Sequence, residues 1–259
     1  MAIPARPRLS AVSYLNTRPL VWGLLHGPQS GQAELSFDIP AVCADLLQSR
    51  QADAGLVPVI EAQRQHLEPI SDLCIACRGP VRSILLLSKK PVREIRSLAL
   101  DSSSRSSVML ARILLEQVYQ LEPELKSMVP DLTTMLGAAD AALIIGDPAL
   151  RIDPASTGLH VLDLGEEWFR HTGLPMVFAM WSGPKPNPEL ASLLEASYEY
   201  GRERIHQIVA AEAASRNIDA ALADHYLRHS ILYRLDDDAR RGLRLYLETA
   251  SKMEAAVAV

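Results

Sequence analysis

Between residues 9 and 181, short apolar runs alternate with amphipathic stretches of helical period, and after Pro188 the alternation stops. Few architectures satisfy that pattern. Strands that take turns with helices predict an α/β fold in which helices cover the faces of the sheets. Strands are expected at Leu9–Val12, Leu35–Ile39, Ala54–Val57, Ser83–Leu87, Leu98–Leu100, Ala141–Ile145, Val161–Asp163 and Val177–Trp181. Helices are expected at Arg18–Leu25, Ala41–Ser49, Val59–His66, Arg105–Tyr119, Leu132–Ala138 and Glu166–Thr172. Residues 188–259 read as three or four successive amphipathic helices with charged outer faces.

Two breaks are candidate crossovers between two lobes. Ser88-Lys89-Lys90-Pro91 follows a strand and ends in a proline that disfavours helix at the residue before it. Gly173-Leu174-Pro175 and Gly183-Pro184-Lys185-Pro186 flank the strand around Val177–Trp181. Crossing at both breaks would put residues 1–88 and 180–259 in one lobe and 91–175 in the other. Hinges near 88–91 and 175–182 would then let the lobes close over a ligand. A single domain with long loops is the alternative.

Bulk properties exclude some functions. The 259 residues carry a net charge of -5, which argues against nonspecific nucleic-acid binding while leaving room for a local anion pocket. No apolar run reaches the roughly 18 residues that span a bilayer. The start MAIPARPRLSAV lacks the pattern of a secretory signal, so a cytoplasmic protein, or a mature form stripped of its signal, is expected. Three cysteines fit a reducing compartment. Cys74 and Cys77 have the spacing of zinc and redox sites, but stand alone in an apolar stretch and read as buried thiols.

The chemistry-bearing residues cluster at strand ends. Val12-Ser13-Tyr14-Leu15-Asn16-Thr17-Arg18-Pro19 joins a strand to a helix whose first turn accepts Pro19. That turn offers the Asn16 amide and the Ser13 and Thr17 hydroxyls beside Arg18, but no His, Cys, Lys or carboxylate. Asp101-Ser102-Ser103-Ser104-Arg105-Ser106-Ser107 joins a strand to a helix. Hydroxyls cap helix starts, and the free N–H groups there also bind carboxylate or phosphate. Five serines around Arg105 exceed what capping requires, and no Walker-type lysine follows. Gly146-Asp147-Pro148 ends a buried strand, where ligands of open α/β sheets gather, with Asp147 as either a helix cap or a wall of the site. Ser83 lies at the head of a strand without the elbow or histidine of a nucleophile. Glu61 reads as a first-turn helix residue, and His225 and His229, without HExxH, as surface histidines rather than metal ligands.

Taken in order, VSYLNTRPL, the run from Pro40 to Leu47, DAGLVPVIE, GPVRSILLLS, LDSSSRSSV, ALIIGDPAL and the segment from Asp163 to Ala179 resemble the chorismate dehydratases of the futalosine route to menaquinone. The resemblance is dense over roughly residues 8–182 and loose in the helical tail. It implies a periplasmic-binding-protein-like, type II fold with two lobes that close like a flytrap. It implies a hydro-lyase that turns chorismate into 3-[(1-carboxyvinyl)oxy]benzoate with no metal or organic cofactor. Asn16 and Ser83 match positions lining that family's active site, and Ser106 and Ser107 match its carboxylate-binding helix start. Ser13, Thr17, Arg18, Ser103, Ser104, Arg105, Gly146 and Asp147 are expected to complete the substrate contacts.

Three other readings compete. The fold also serves noncatalytic binding proteins for small anions, which would carry a signal or lipid anchor. Another enzyme of the fold is the second, either a prephenate dehydratase-like protein or the sister lyase acting on cyclic dehypoxanthinyl futalosine, which usually carries a Ser-Pro-Cys-Pro-Asn-Asp-Thr type turn where this chain has Ser13–Thr17. A transcriptional effector domain would follow a DNA-binding module. The expected partners are therefore a small-molecule substrate, neither nucleic acid nor membrane, and at most a second copy, giving a monomer or weak homodimer.

Overall fold

The computed structural model describes residues 6–257. The chain first lays down β1 (Arg8–Val12), α1 (Arg18–His26), β2 (Glu34–Asp38), α2 (Pro40–Gln48), β3 (Ala54–Pro58), α3 (Val59–Arg64) and β4 (Glu68–Cys77). It crosses to build β5 (Ile84–Ser88), β6 (Ser97–Asp101), α4 (Arg105–Ile113), β7 (Glu124–Met128), α5 (Leu132–Ala138), β8 (Ala141–Ile145), α6 (Gly146–Leu150), β9 (His160–Asp163) and α7 (Leu164–Thr172). It returns as β10 (Met176–Gly183) and ends in α8 (Pro188–Arg202), α9 (Ile205–Glu212), α10 (Ala220–His225), β11 (Leu232–Arg234) and α11 (Asp237–Val257).

Two sheets result. One runs β11-β4-β10-β3-β1-β2 and the other β7-β6-β8-β5-β9. In the first, β1 is parallel to β2 and β3, and β10 runs antiparallel between β3 and β4. In the second, β8 is parallel to β6 and antiparallel to β5, with Ile84 opposite Ile145. The strands β3, β5, β8 and β10 are buried along their whole length, which explains their unbroken apolar runs. Helix starts carry the caps their sequences announce. Asp131, Asp163, Asn187 and Asp219 each accept a first-turn backbone N–H, and Pro19, Pro40 and Pro188 sit in first turns.

The boundaries differ from those expected. Strand β5 pairs with β8 and β9, so the first crossing lies at 78–83 and residues 84–88 belong with the second sheet. Strand β10 starts at Met176 in the middle of the first sheet, so the return crossing is 173–175 rather than 175–182. The reason is local. Gly79 and Arg82 both take positive φ, at 99° and 65°, and turn the chain before Ser83, whereas Pro91 only opens a short 3-10 turn. The tail is four helices with a short strand, and it touches both sheets' elements. Helix α11 packs on β10, α3 and α4. Helix α8 lies so close to α1 that a Cβ at Gly201 would come 2.1 Å from the Pro19 carbonyl oxygen. One apolar core runs from Leu9 and Leu56 through Leu86 and Leu143 to Tyr246, joining the two sheets.

Candidate active site

Between the sheets lies a cleft holding about 520 Å³ of atom-free space, part of it continuous with solvent. Its walls are apolar side chains, among them Val12, Ile75, Ile145 and Phe178. Its polar groups are Tyr14, Asn16, Ser83, Ser104, Ser106 and Ser107, and Gly146 also lines it. Tyr14 is the one ionisable side chain among these, and burial pushes its phenol up to about 12. Mostly apolar walls with a few convergent polar groups are the ordinary anatomy of a small-molecule site.

Asn16 reaches the cleft from a short 3-10 turn, Leu15–Thr17, between β1 and α1. Ser83 reaches it from the crossing segment before β5. Asp163 fixes that segment by accepting from the Val81 and Arg82 N–H groups, at 3.0 and 2.6 Å, while also capping α7. The two residues share a partner that sequence reasoning missed. The Asn16 amide donates to the Tyr226 phenol at 3.0 Å, and the phenol donates to the Ser83 hydroxyl at 2.8 Å.

The opposite wall is the start of α4. Ser104 caps it by accepting from the Ser107 N–H at 3.3 Å. The Ser106 hydroxyl faces the cleft, is 2% exposed and has no hydrogen-bond partner. The Ser106 carbonyl is held by the buried Tyr246 hydroxyl of α11 at 3.0 Å. First-turn N–H groups lack intrahelical acceptors and carry the positive end of the helix dipole. Together with a spare buried hydroxyl they form a place for a carboxylate.

The remaining expected contacts serve the site from behind it. Ser103 donates to Asp101 at 2.6 Å, so the Tyr14 phenol donates to Ser103 at 3.1 Å and the ring is fixed in the wall. Gly146 takes φ 64°, and a Cβ there would come 2.6 Å from the Tyr14 ring. Asp147 lies outside the cleft. Its carboxylate accepts from the Leu15 N–H at 2.9 Å and pairs with Arg216, which also donates to the Ser13 carbonyl at 2.9 Å. Arg18 is half-buried against Glu212 at 3.1 Å and over the Phe37 ring, and Thr17 is wholly buried. Arg105 pairs with Glu61 at 2.8 Å and Asp45 at 3.0 Å. Ser13, Thr17, Arg18, Ser103, Arg105 and Asp147 therefore do not line the cleft, and among the described residues no charged side chain does.

Glu61 is tied to Arg64 and Arg105. All three cysteines are free and buried. His225 and His229 are exposed, their rings 5.0 Å apart. Among the described residues, no group of three or more His, Cys, Asp or Glu side chains could hold a metal ion, and no helix is long and apolar enough to cross a membrane.

Two sheets with a cleft between them define the periplasmic-binding-protein-like class. The chain superposes on the Escherichia coli periplasmic aliphatic sulphonate binding protein with TM-score 0.66 at 17% identity, over 99% of this chain and 89% of that one. A crystallised Archaeoglobus fulgidus protein gives TM-score 0.76 at 14% identity, over 96% and 98%. Within that class the chain belongs to the menaquinone-biosynthesis family, whose profile matches residues 7–252. The chorismate dehydratase of Thermus thermophilus is 30% identical over 230 residues, 81% of this chain and 84% of that protein. The chorismate dehydratase of Campylobacter jejuni is 24% identical over 252 residues, 95% and 98% respectively.

Proposed function

We propose that this chain is a chorismate dehydratase, converting chorismate to 3-[(1-carboxyvinyl)oxy]benzoate and water by means of its own side chains, without metal or organic cofactor. The observation that carries this reading is an uncharged cleft with Asn16 and Ser83 on one wall and the α4 start, with its unpartnered Ser106 hydroxyl, on the other. A dianionic cyclohexadiene fits that division of labour. The α4 N–H groups, Ser106 and Ser107 hold one carboxylate. Asn16 and Ser83 hydrogen-bond the C4 hydroxyl and stabilise charge on its oxygen as the C–O bond breaks.

The reaction needs little more. The C3 proton passes to the substrate's own enolpyruvyl carboxylate, the C3–H electron pair enters the ring, and the C4 hydroxide leaves and takes that proton back from the carboxylic acid to become water. The ring becomes aromatic, so the products are strongly favoured. Positioning supplies the rate, and reactions held in register gain about 7–11 kcal/mol in favourable cases. Closing of the two sheet units over the substrate expels water and strengthens each hydrogen bond. Function in the cytoplasm is part of the same reading, since chorismate is a metabolite of that compartment.

Incubation of the purified protein with chorismate alone, followed by absorbance and mass, tests the reading. The expected result is a new aromatic species lighter by one water. The binding-protein reading, favoured by the likeness to the sulphonate binder, predicts instead that chorismate binds and is recovered unchanged.

A further inference from the structure

We propose that Tyr226 is a positioning residue of this reaction, one that sets the direction in which the Ser83 proton points. The inference rests on the dehydration reading of the cleft. Tyr226 is 1% exposed and does not line the cleft, so it acts through its neighbours. Its phenol bridges two residues that adjoin different sheets. Asn16 follows β1 of the six-stranded sheet, and Ser83 precedes β5 of the five-stranded sheet. Tyr226 itself opens a π-helical turn, Tyr226–Ser230, at the end of α10. Such turns are rare and recur at functional sites because they displace one side chain out of helical register.

A phenol has a single proton, and this fact fixes the chain of donors. The Asn16 amide occupies the phenolic oxygen, and the phenolic proton goes to the Ser83 oxygen. The Ser83 proton then has no call on it from Tyr226 and is free for the cleft. The second Asn16 N–H is free in the same way. Burial keeps the phenol protonated by raising its pKa well above that of a free tyrosine. Each bond in such a chain polarises the next, so Ser83 becomes a stronger donor to the departing oxygen than an isolated serine. Without the phenol, Ser83 turns its proton toward the nearest protein acceptor.

The test measures kcat, KM and thermal melting for the parent, Tyr226→Phe, Ser83→Ala and the double variant. The expected result is that Tyr226→Phe lowers kcat about 10- to 100-fold with KM within about twofold of the parent. In the Ser83→Ala background the same change costs less than about threefold, because the phenol's effect runs through Ser83. Independent, multiplying losses overturn the proposal, as does a Phe variant with parental kcat. Site-specific 3-fluorotyrosine at position 226 covers a Phe variant that fails to fold. It preserves shape and makes the phenol a stronger donor, so kcat shifts while KM does not, and an unmoved kcat overturns the proposal. A parent that leaves chorismate intact removes the dehydration reading and this inference with it, whereas an active parent with indifferent variants removes this inference alone.

Discussion

A single amide carries much of the proposed chemistry. Asn16→Ala removes one donor aimed at the developing oxyanion while Tyr226 keeps its bond to Ser83. Losing one such donor typically costs about 10²–10³ in kcat. Steady-state kinetics on a variant with parental melting should find a loss of that size, and a near-parental kcat removes Asn16 from the mechanism. Gly146→Ala meets two obstacles, a positive φ and the Tyr14 ring. It should destabilise the fold by about 1–3 kcal/mol in denaturant melts, and raise KM by pushing Tyr14 into the cleft. The pH dependence should be flat. Tyr14, near 12, and Tyr226, higher still, both stay protonated, and among the described residues no histidine or carboxylate lines the cleft. The kcat should therefore stay level from about pH 6 to about pH 9, and a limb centred near neutrality reports a titrating base. Asn16, Ser106 and Gly146 stand in local motifs at strand ends, whereas Ser83 alone is an unremarkable strand serine that only the family resemblance singled out. Tyr226, Tyr246 and Arg216 were not legible in the sequence. Tyr226 meets Asn16 across 210 positions and Ser83 across 143, and Tyr246 meets Ser106 across 140, so no spacing rule signals them. Arg18 and Arg105 were misleading for a related reason. A basic residue beside a site suggests an anion, but each here already has its carboxylates, Glu212 for Arg18 and Glu61 with Asp45 for Arg105.

Among elements, α4 has the largest part. Its start is both a capped helix end and the proposed carboxylate seat. Ser106→Ala with Ser107→Ala should raise KM about tenfold or more and leave kcat within a few-fold, since the lost bonds form in the ground state as well as in the transition state. An unchanged KM contradicts the carboxylate assignment. Of the strands with unbroken apolar runs, β8 was readable to the residue and β3, β5 and β10 to within one or two residues. Three strands were not. In β4 the stretch Glu68–Asp72 is polar, and its tail Leu73–Cys77 is continuously buried, so neither part alternates. Strand β7, ELKSM, is a largely exposed edge with no apolar face, and β11 has three residues. Pairing with neighbours distant in sequence makes them strands, and local propensity gives no sign of it.

At the scale of the molecule, the sheets are joined by groups that the chain brings from both ends. Asp147 on α6 holds the Leu15 N–H and pairs with Arg216, whose other contacts are the Ser13 carbonyl and Glu212. Both side chains of the pair are largely buried, at 7% and 13% exposure. Breaking a buried pair by removing one charge costs about 3–5 kcal/mol. Asp147→Asn should fall near the lower end in denaturant melts, because Glu212 still partners Arg216. The α/β class was legible from the alternation of elements, but two lobes were singled out only by the family resemblance, and their boundaries were not legible. The turn at Gly79–Arg82 looks in sequence like any loop, and the tail reads as plain helical packing although it supplies Tyr226, Arg216 and Tyr246. The central claim is that a cleft of neutral amide and hydroxyl groups dehydrates chorismate by holding it in register. The direct measurement is product formation by chelator-dialysed protein supplied with chorismate alone. The account predicts many turnovers of 3-[(1-carboxyvinyl)oxy]benzoate per protein molecule, and it is contradicted by intact chorismate or by activity that returns only when a divalent cation is added.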